Sequence, residues 1–373
     1  MYWQLEYLRE GASMPRGATY RLDLPENGML SAIQISISAA GVSDAFAATM
    51  KWRISDFIDK IEIIGNGSTV IKSISGNMLQ GLQFFDTGIA SLDYWHSYAT
   101  GTQRFNVMLL FGRSLFDLLY GLDLSVWNNV EIRITNSASA TYYGADFSLS
   151  MLGYYMREGG GFSGYLRTEE WQKWTTVSDE TKYLELPTEN KVRRMIIQCI
   201  PPADANNIFT TAMSNMIDDL EVSLKTGVLR IYKGGIMDLM RMNAILLRKL
   251  AMTYPQYYMT AAYGRNIGIG YVLGGAESGG AVNAAVTNIK PQVENGRSDA
   301  TQVLLDHGED TSFRGINVGL CPENCLLFPF NIIDEPAEYL DVLANQTVKV
   351  NVHTRSGAGY AGGTIRVVLD RVV

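Results

Sequence analysis

The sequence predicts an all-β molecule: two tandem antiparallel eight-stranded jelly rolls, a double jelly roll, each with one inserted helix. Three observations carry this. Period-2 alternation of apolar and polar residues dominates the chain. Strands follow strands without regular intervening helices, which implies antiparallel sandwiches rather than a parallel α/β sheet. The pattern also occurs twice, in about 140 residues per copy with long crossing connections. That size and the inserted helix favour a jelly roll over the shorter immunoglobulin-like sandwich.

The repeat is explicit in the residues. Thr19-Tyr20-Arg21-Leu22-Asp23-Leu24-Pro25 returns as Thr181-Lys182-Tyr183-Leu184-Glu185-Leu186-Pro187, about 162 positions later. Ile58-Asp59-Lys60-Ile61-Glu62-Ile63 returns as Ile217-Asp218-Asp219-Leu220-Glu221-Val222, at about 159. Leu109-Leu110-Phe111-Gly112 matches Leu326-Leu327-Phe328-Pro329, at about 217. Val130, Ile132 and Ile134 match Val348, Val350 and Val352, and Phe147, Leu149 and Met151 match Ile365, Val367 and Leu369, at about 218. A repeat this long is a duplicated domain, not a solenoid unit.

Along the chain, residues 1–16 read as an N-terminal arm and 17–157 as the first jelly roll. Tyr20, Leu22 and Leu24 alternate with polar residues, as do Ile33, Ile35 and Ile37. Ile61 and Ile63 lead into Gly65-Asn66-Gly67, a tight-turn signal before Val70-Ile71. A helical stretch over 77–85 follows, and strands resume at 105–111, 130–135 and 147–155. Residues 158–180 read as a linker opening on Gly159-Gly160-Gly161, and 181–373 as the second jelly roll. Its helix is expected over 236–251, with Arg248 and Lys249 suited to a helix C-terminus. The jump in offset places a long inserted loop at about 253–312, and loops of that length are usually functional or separately structured.

With 373 residues, each half is large enough to bury its own core. The formal net charge of -7 gives no field that attracts nucleic acid, and residues 1–14 hold no basic arm. No apolar run of about 18 residues and no signal peptide is visible. Three cysteines, Cys199, Cys321 and Cys325, are too few for a disulfide framework and read as packed free thiols made in a reducing compartment.

The chemistry of known site types is absent from the pattern. His96, His307 and His353 are widely separated, so no catalytic metal set forms. Asp306-His307-Gly308-Glu309-Asp310 reads as a solvated acidic loop. Asp59/Glu62 and Asp218/Glu221 recur in both copies, which argues against a single acid/base pair. No nucleophile elbow or phosphate-binding loop occurs. The chain is expected to be no enzyme and to need no cofactor or metal. The sequons at Asn66 and Asn345 read as turn chemistry. Aromatic clusters such as Tyr94-Trp95-His96-Ser97-Tyr98 and Tyr257-Tyr258 suit core and interface packing.

The paired strand openings Leu22-Asp23-Leu24-Pro25 and Leu184-Glu185-Leu186-Pro187, the hairpin-then-helix units and the matching final strands resemble one family. It is the double jelly-roll major capsid proteins of tailless icosahedral viruses, the lineage of tectiviruses, corticoviruses, archaeal turreted viruses and adenovirus hexon. The resemblance implies a homotrimeric, pseudo-hexagonal capsomer tiling an icosahedral shell, over an internal membrane. It implies neighbouring capsomers, penton and minor capsid proteins and membrane lipid as partners, with no direct sequence-specific nucleic acid binding. The location implied is the virion shell, after synthesis in the host cytoplasm. Tyr2, Trp3, Leu5, Tyr7 and Leu8 become a candidate inner-face or membrane contact, with a first strand or ordinary packing as the equal alternative. Tyr257 and Tyr258 in the long loop become a candidate outer contact. The competing reading is a carbohydrate-active or carbohydrate-binding tandem β-sandwich.

Overall fold

The computed structural model describes residues 1–42, 53–89, 102–200, 202, 213–247, 317–331, 334–345, 347–356 and 362–373. Within 251–316 it describes the backbone of short strands only. The first half runs β1 (Tyr2–Met14), β2 (Thr19–Asp23), β3 (Met29–Ala40), α1 (Ile54–Phe57), β4 (Ile58–Gly65), β5 (Thr69–Ile74) and α2 (Gly76–Thr87). It continues with β6 (Thr102–Leu110), β7 (Leu122–Asp123), β8 (Val130–Asn136) and β9 (Phe147–Arg157). The second half opens on β10 (Leu166–Thr175), β11 (Thr181–Glu185), β12 (Val192–Ile200), α3 (Met213–Met216), β13 (Ile217–Leu224), β14 (Leu229–Gly235) and α4 (Ile236–Leu247). The inserted segment holds β15 (Ala251–Thr253), β16 (Gln256–Met259), β17 (Asn266–Gly268), β18 (Asn283–Ala284), β19 (Pro291–Asn295), β20 (Thr301–Leu305), β21 (Thr311–Arg314) and β22 (Asn317–Gly319). The half closes with β23 (Cys325–Pro329), β24 (Lys349–Thr354) and β25 (Thr364–Val372).

The strand orders make the duplication geometric. The first copy has sheets β1-β9-β3-β6 and β2-β8-β4-β5, and the second has β10-β25-β12-β23 and β11-β24-β13-β14. Strand for strand these are the same eight-stranded jelly roll. The bulges coincide as well. The β4–β5 ladder shifts register between Ile63 and Ile64, and the β13–β14 ladder shifts at the equivalent Val222 and Ser223.

Four expectations from the sequence are corrected here. Residues 1–16 were expected to form an arm, but Tyr2–Met14 is the first strand of the first sandwich, laddered along β9. Residues 158–180 were expected to form a linker, but Leu166–Thr175 is the corresponding first strand of the second, laddered along β25. Neither segment alternates cleanly because each is bulged, and β1 is an edge strand with one face in water. A third correction concerns Leu109-Leu110-Phe111-Gly112. Phe105 pairs with Ile37, and Leu326 pairs with the equivalent Ile197, so the true offset is four residues larger. A four-residue slip preserves the in–out phase of a strand, which is why the wrong match looked right. The second helix also stops at Leu247 instead of continuing to 251, where Ala251 already starts β15. Arg248 and Lys249 lie outside the described residues.

Local chemistry explains the elements that position the rest. In β3, Ile33, Ile35 and Ile37 are 0–1% exposed while Gln34, Ser36 and Ser38 face outward. Asn66 and Gly67 both take positive φ, 51° and 76°, the requirement of a tight hairpin whose twist matches its strands. Helix α2 starts at Ser75, whose side chain accepts from the Met78 amide and satisfies one free N–H of the first turn. Among the described residues, no helix is long and apolar enough to cross a membrane.

The two sandwiches share one continuous sheet. β5 and β10 pair in parallel at Lys72–Thr168 and Glu169–Ser73, joining β2-β8-β4-β5 to β10-β25-β12-β23. α2 lies between the copies. The first core, which includes Met78, Leu82 and Phe85 of α2, also takes in Ile196, Cys325, Leu327 and Val368 of the second copy. The second sandwich has its own core around Met195, Leu220, Val222, Val350 and Val367.

Candidate functional site

The seam between the copies concentrates the buried chemistry of the chain. Lys72 on β5 is 1% exposed, and its Nζ donates to Thr168 Oγ1 at 2.6 Å. Thr168 in turn donates to Asp370 Oδ1 at 2.8 Å. Arg193 Nη1 and Arg194 Nε reach Asp370 Oδ2 at 3.0 and 2.9 Å, and Arg194 Nη2 donates to Asp86 of α2 at 2.5 Å. Arg193 also holds Asp334 with two bonds of 2.7 Å. A second bridge joins Arg53, before α1, to Glu323 through bonds of 2.5 and 2.8 Å, with Asp56 on the same guanidinium at 2.9 Å.

Electrostatics follow from this crowding. Burial pushes the Asp370 carboxyl up, but Arg194, Arg193 and Lys72 together outweigh it and hold it at about 2. Burial also pulls the Lys72 ammonium from 10.5 down to about 8, against the pull of Asp370 and Asp86. Asp86 is raised by burial despite Arg194 and Arg193. Lys72–Thr168, Asp86–Arg194 and Arg53–Glu323 each join the two copies, so the cluster fixes the register of the two sandwiches.

The acids that recur in both copies are occupied by neighbours. Ser137 donates to Asp59 at 2.9 Å, and Lys60 lies 2.6 Å from Glu62. Arg355 lies 3.3 Å from Asp218, while Arg230 and Lys233 lie 2.9 and 3.4 Å from Glu221. Among the described residues, one group is arranged to offer ligands to a metal ion: Asp218, Asp219 and His353. The sequence did not bring these together because Asp219 and His353 meet only as cross-strand partners of β13 and β24. His353 is already engaged by Thr181 at 3.0 Å and lies 3.5 Å from Asp179. Cys199, Cys321 and Cys325 are free and buried, and burial pushes all three thiols up, so none is a thiolate at neutral pH.

The candidate contact residues separate. Tyr2, Leu5 and Tyr7 are 52–59% exposed on β1. Trp3 instead stacks on Phe116 at 4.4 Å between ring centroids, and Leu8 packs on the first core. Tyr257 and Tyr258 lie on β16, at rungs shared with Phe313 and Ser312 of β21. Residues 94–98 and 306–310, with His96 and His307, lie outside the described residues.

Two sandwiches of identical topology, joined edge to edge with a helix trapped between them, define a double jelly-roll protein. Three solved structures align with the chain over most of their length. It is similar to the STIV MCP, with a TM-score of 0.64 at 12% identity over all of this chain and 97% of that one. It is similar to the PBCV-1 virus capsid, at 0.57 and 9% over all of this chain and 93% of that one. It is also similar to the major capsid protein P2 from bacteriophage PM2, at 0.54 and 10% over all of this chain and 98% of that one. No family model matches the sequence, and no curated protein does. At these identities the likeness establishes the fold.

Proposed function

We propose that the chain is the major capsid protein of an icosahedral virus, three copies forming a capsomer with a near-hexagonal outline. The observation that supports this best is the head-to-tail seam. One sandwich meets the next through unlike surfaces, the kind of contact that generates rings when its rotation closes. Full-length likeness to three capsid structures points the same way. The chain acts in the virion shell, with neighbouring capsomers, penton and minor capsid proteins as partners, and as a structural component rather than an enzyme. An internal membrane belongs to the same reading, because 31 basic against 38 acidic residues leave no excess charge to condense a genome directly. The inserted segment, with Tyr257 and Tyr258, forms the outward-facing part. Native mass spectrometry and electron microscopy of the purified chain test the proposal. Trimers with six-lobed outlines are expected; a monomer at every concentration overturns it.

A further inference from the structure

One rung of the second sandwich departs from its counterpart in the first, and the departure gathers metal-ligating groups. In the first copy, β2, β8 and β4 place Thr19, Thr135 and Lys60 side by side. In the second, β11, β24 and β13 place Thr181, His353 and Asp219 in the same positions. Thr19 and Thr135 share a hydrogen bond of 2.9 Å, and Lys60 reaches Glu62 at 2.6 Å. The second copy thus exchanges a hydroxyl for an imidazole and a fixed cation for a carboxylate. The jelly roll does not require the exchange, because the first copy closes the same rung without it.

A bulge completes the group. Neighbouring residues of a regular strand point to opposite faces. β13 carries one extra residue, Asp218, between Ile217, opposite Thr354, and Asp219, opposite His353. Such a bulge re-aims side chains, and ligand atoms of Asp218, Asp219 and His353 all lie within 4.8 Å of one another. β4 has the same bulge at Asp59, but Lys60 follows it. Thr181 Oγ1 lies 3.0 Å from His353 Nδ1 and can accept a hydrogen bond from an Nδ1–H. A metal-bound imidazole commonly has an oxygen in that place, which fixes the tautomer and leaves Nε2 as the ligand atom. Asp179 Oδ1 lies 3.5 Å from Nε2. Two ligands on one tetrahedral zinc ion stand roughly 3.3–3.4 Å apart, given bonds of about 2.0–2.1 Å.

We infer that this rung binds a divalent transition-metal ion, with zinc as the best match, through His353, Asp218 and Asp219, and with Asp179 as a further oxygen. The charges suit a divalent ion. Three carboxylates meet one cation, Arg355, at 3.3 Å from Asp218, so two negative charges remain beside a neutral imidazole. A ring nitrogen among the oxygens favours zinc over calcium and magnesium, which take oxygen ligands. Bound there, the ion ties the turn before β11 to β24 and to the β13 bulge. Binding needs one chain only, so it holds whatever the chain assembles into.

Calorimetric titration of the untagged full-length chain with zinc chloride, after stripping with EDTA, tests this. About one zinc ion per chain is expected to bind, with a rise in melting temperature. Cys199, Cys321 and Cys325 are buried with their thiols pushed up, so they offer no competing thiolate. Asp219→Lys/His353→Thr rebuilds the rung that the first copy already folds with. It is expected to melt cooperatively without metal and to lose both zinc effects. Thr181→Val removes only the oxygen behind Nδ1 and is expected to weaken binding about 10- to 100-fold. A parent chain that binds no zinc overturns the site. Zinc binding that is unchanged in the rebuilt rung overturns it as well. So does calcium or magnesium held as tightly as zinc, since the imidazole is then no ligand and His353 serves only as an ion-pair partner of the acids.

Discussion

Asp370 shows how single residues set the conditions under which the seam holds. Its carboxyl sits at about 2 in the folded chain, below the ordinary 3.8. A carboxyl depressed by folding stabilises the native state above its unfolded value, and that contribution is lost as pH falls from near 4 through 2. Lys72 has the opposite ledger: its ammonium is lowered from 10.5 to about 8, so folding is relieved of a buried charge as pH rises through that window. Asp370→Asn is expected to lower stability at pH 7 by about 3–5 kcal/mol, because two arginines lose their shared counter-charge. Denaturant titrations at pH 2 to 7 should show the acid-limb slope flattened in the variant; an unchanged slope would assign that limb to other groups. Arg53 and Glu323 give a second test. Either Arg53→Met or Glu323→Leu alone is expected to cost about 3–5 kcal/mol, and the pair together less than their sum, since removing both leaves no stranded Glu323 although Asp56 still loses its arginine. A double-mutant cycle measures the difference.

At the scale of elements, α2 and α4 are the same helix in two environments. In each copy a side-chain amide in the third turn bonds the neighbouring strand: Gln83 accepts from the Met108 amide, and Asn243 donates to the Leu327 carbonyl. What differs is the outward face. A Cβ added at Gly81 would meet Cys325 Sγ at 2.7 Å, so α2 can lie close to the second copy. The inserted segment is the other unshared element. Among the described residues its strands pair with one another, β15 with β22, β16-β21-β18 and β17-β20-β19. Its neck closes at the Thr253–Asn317 rung. Replacing residues 254–316 by Asn-Gly is therefore expected to leave both sandwiches folded, with circular dichroism and cooperative melting retained; loss of folding would show that the insertion supports the barrel. Most of this element plan was legible in the sequence, because buried strands such as Val130-Glu131-Ile132-Arg133-Ile134 alternate where one face meets a core. Edge and bulged strands were not. Tyr2–Met14 and Leu166–Thr175 satisfy their backbone along one side only for much of their length, and their side chains carry no single period. The seam was illegible for a different reason: Asp86, Arg194 and Asp370 are far apart in the chain, Arg194 and Asp370 meet as cross-strand partners of β12 and β25, and the β5–β10 pairing joins the first copy to them.

For the whole molecule, the decisive question is whether the two jelly rolls behave as two domains or as one. Duplication by itself would give two independent cores, and the second sandwich does enclose its own. The first does not. Its buried cluster extends into Ile196, Leu327 and Val368 of the second copy, and its helix α2 has the second copy as its outer wall. Separating the sandwiches would expose Phe85 and Met78 to water at about 1.5–3 kcal/mol for each large side chain. It would also strand Asp86 and Lys72 away from Arg194 and Asp370, at further cost for each unpaired buried charge. Those penalties are comparable with the entire stability of a typical domain, so neither half has a folded state to occupy once the other has opened. Calorimetry of the monomeric chain is accordingly expected to show one transition, its calorimetric and van't Hoff enthalpies agreeing. Two resolved transitions would mean that the seam is a docking surface rather than a shared core.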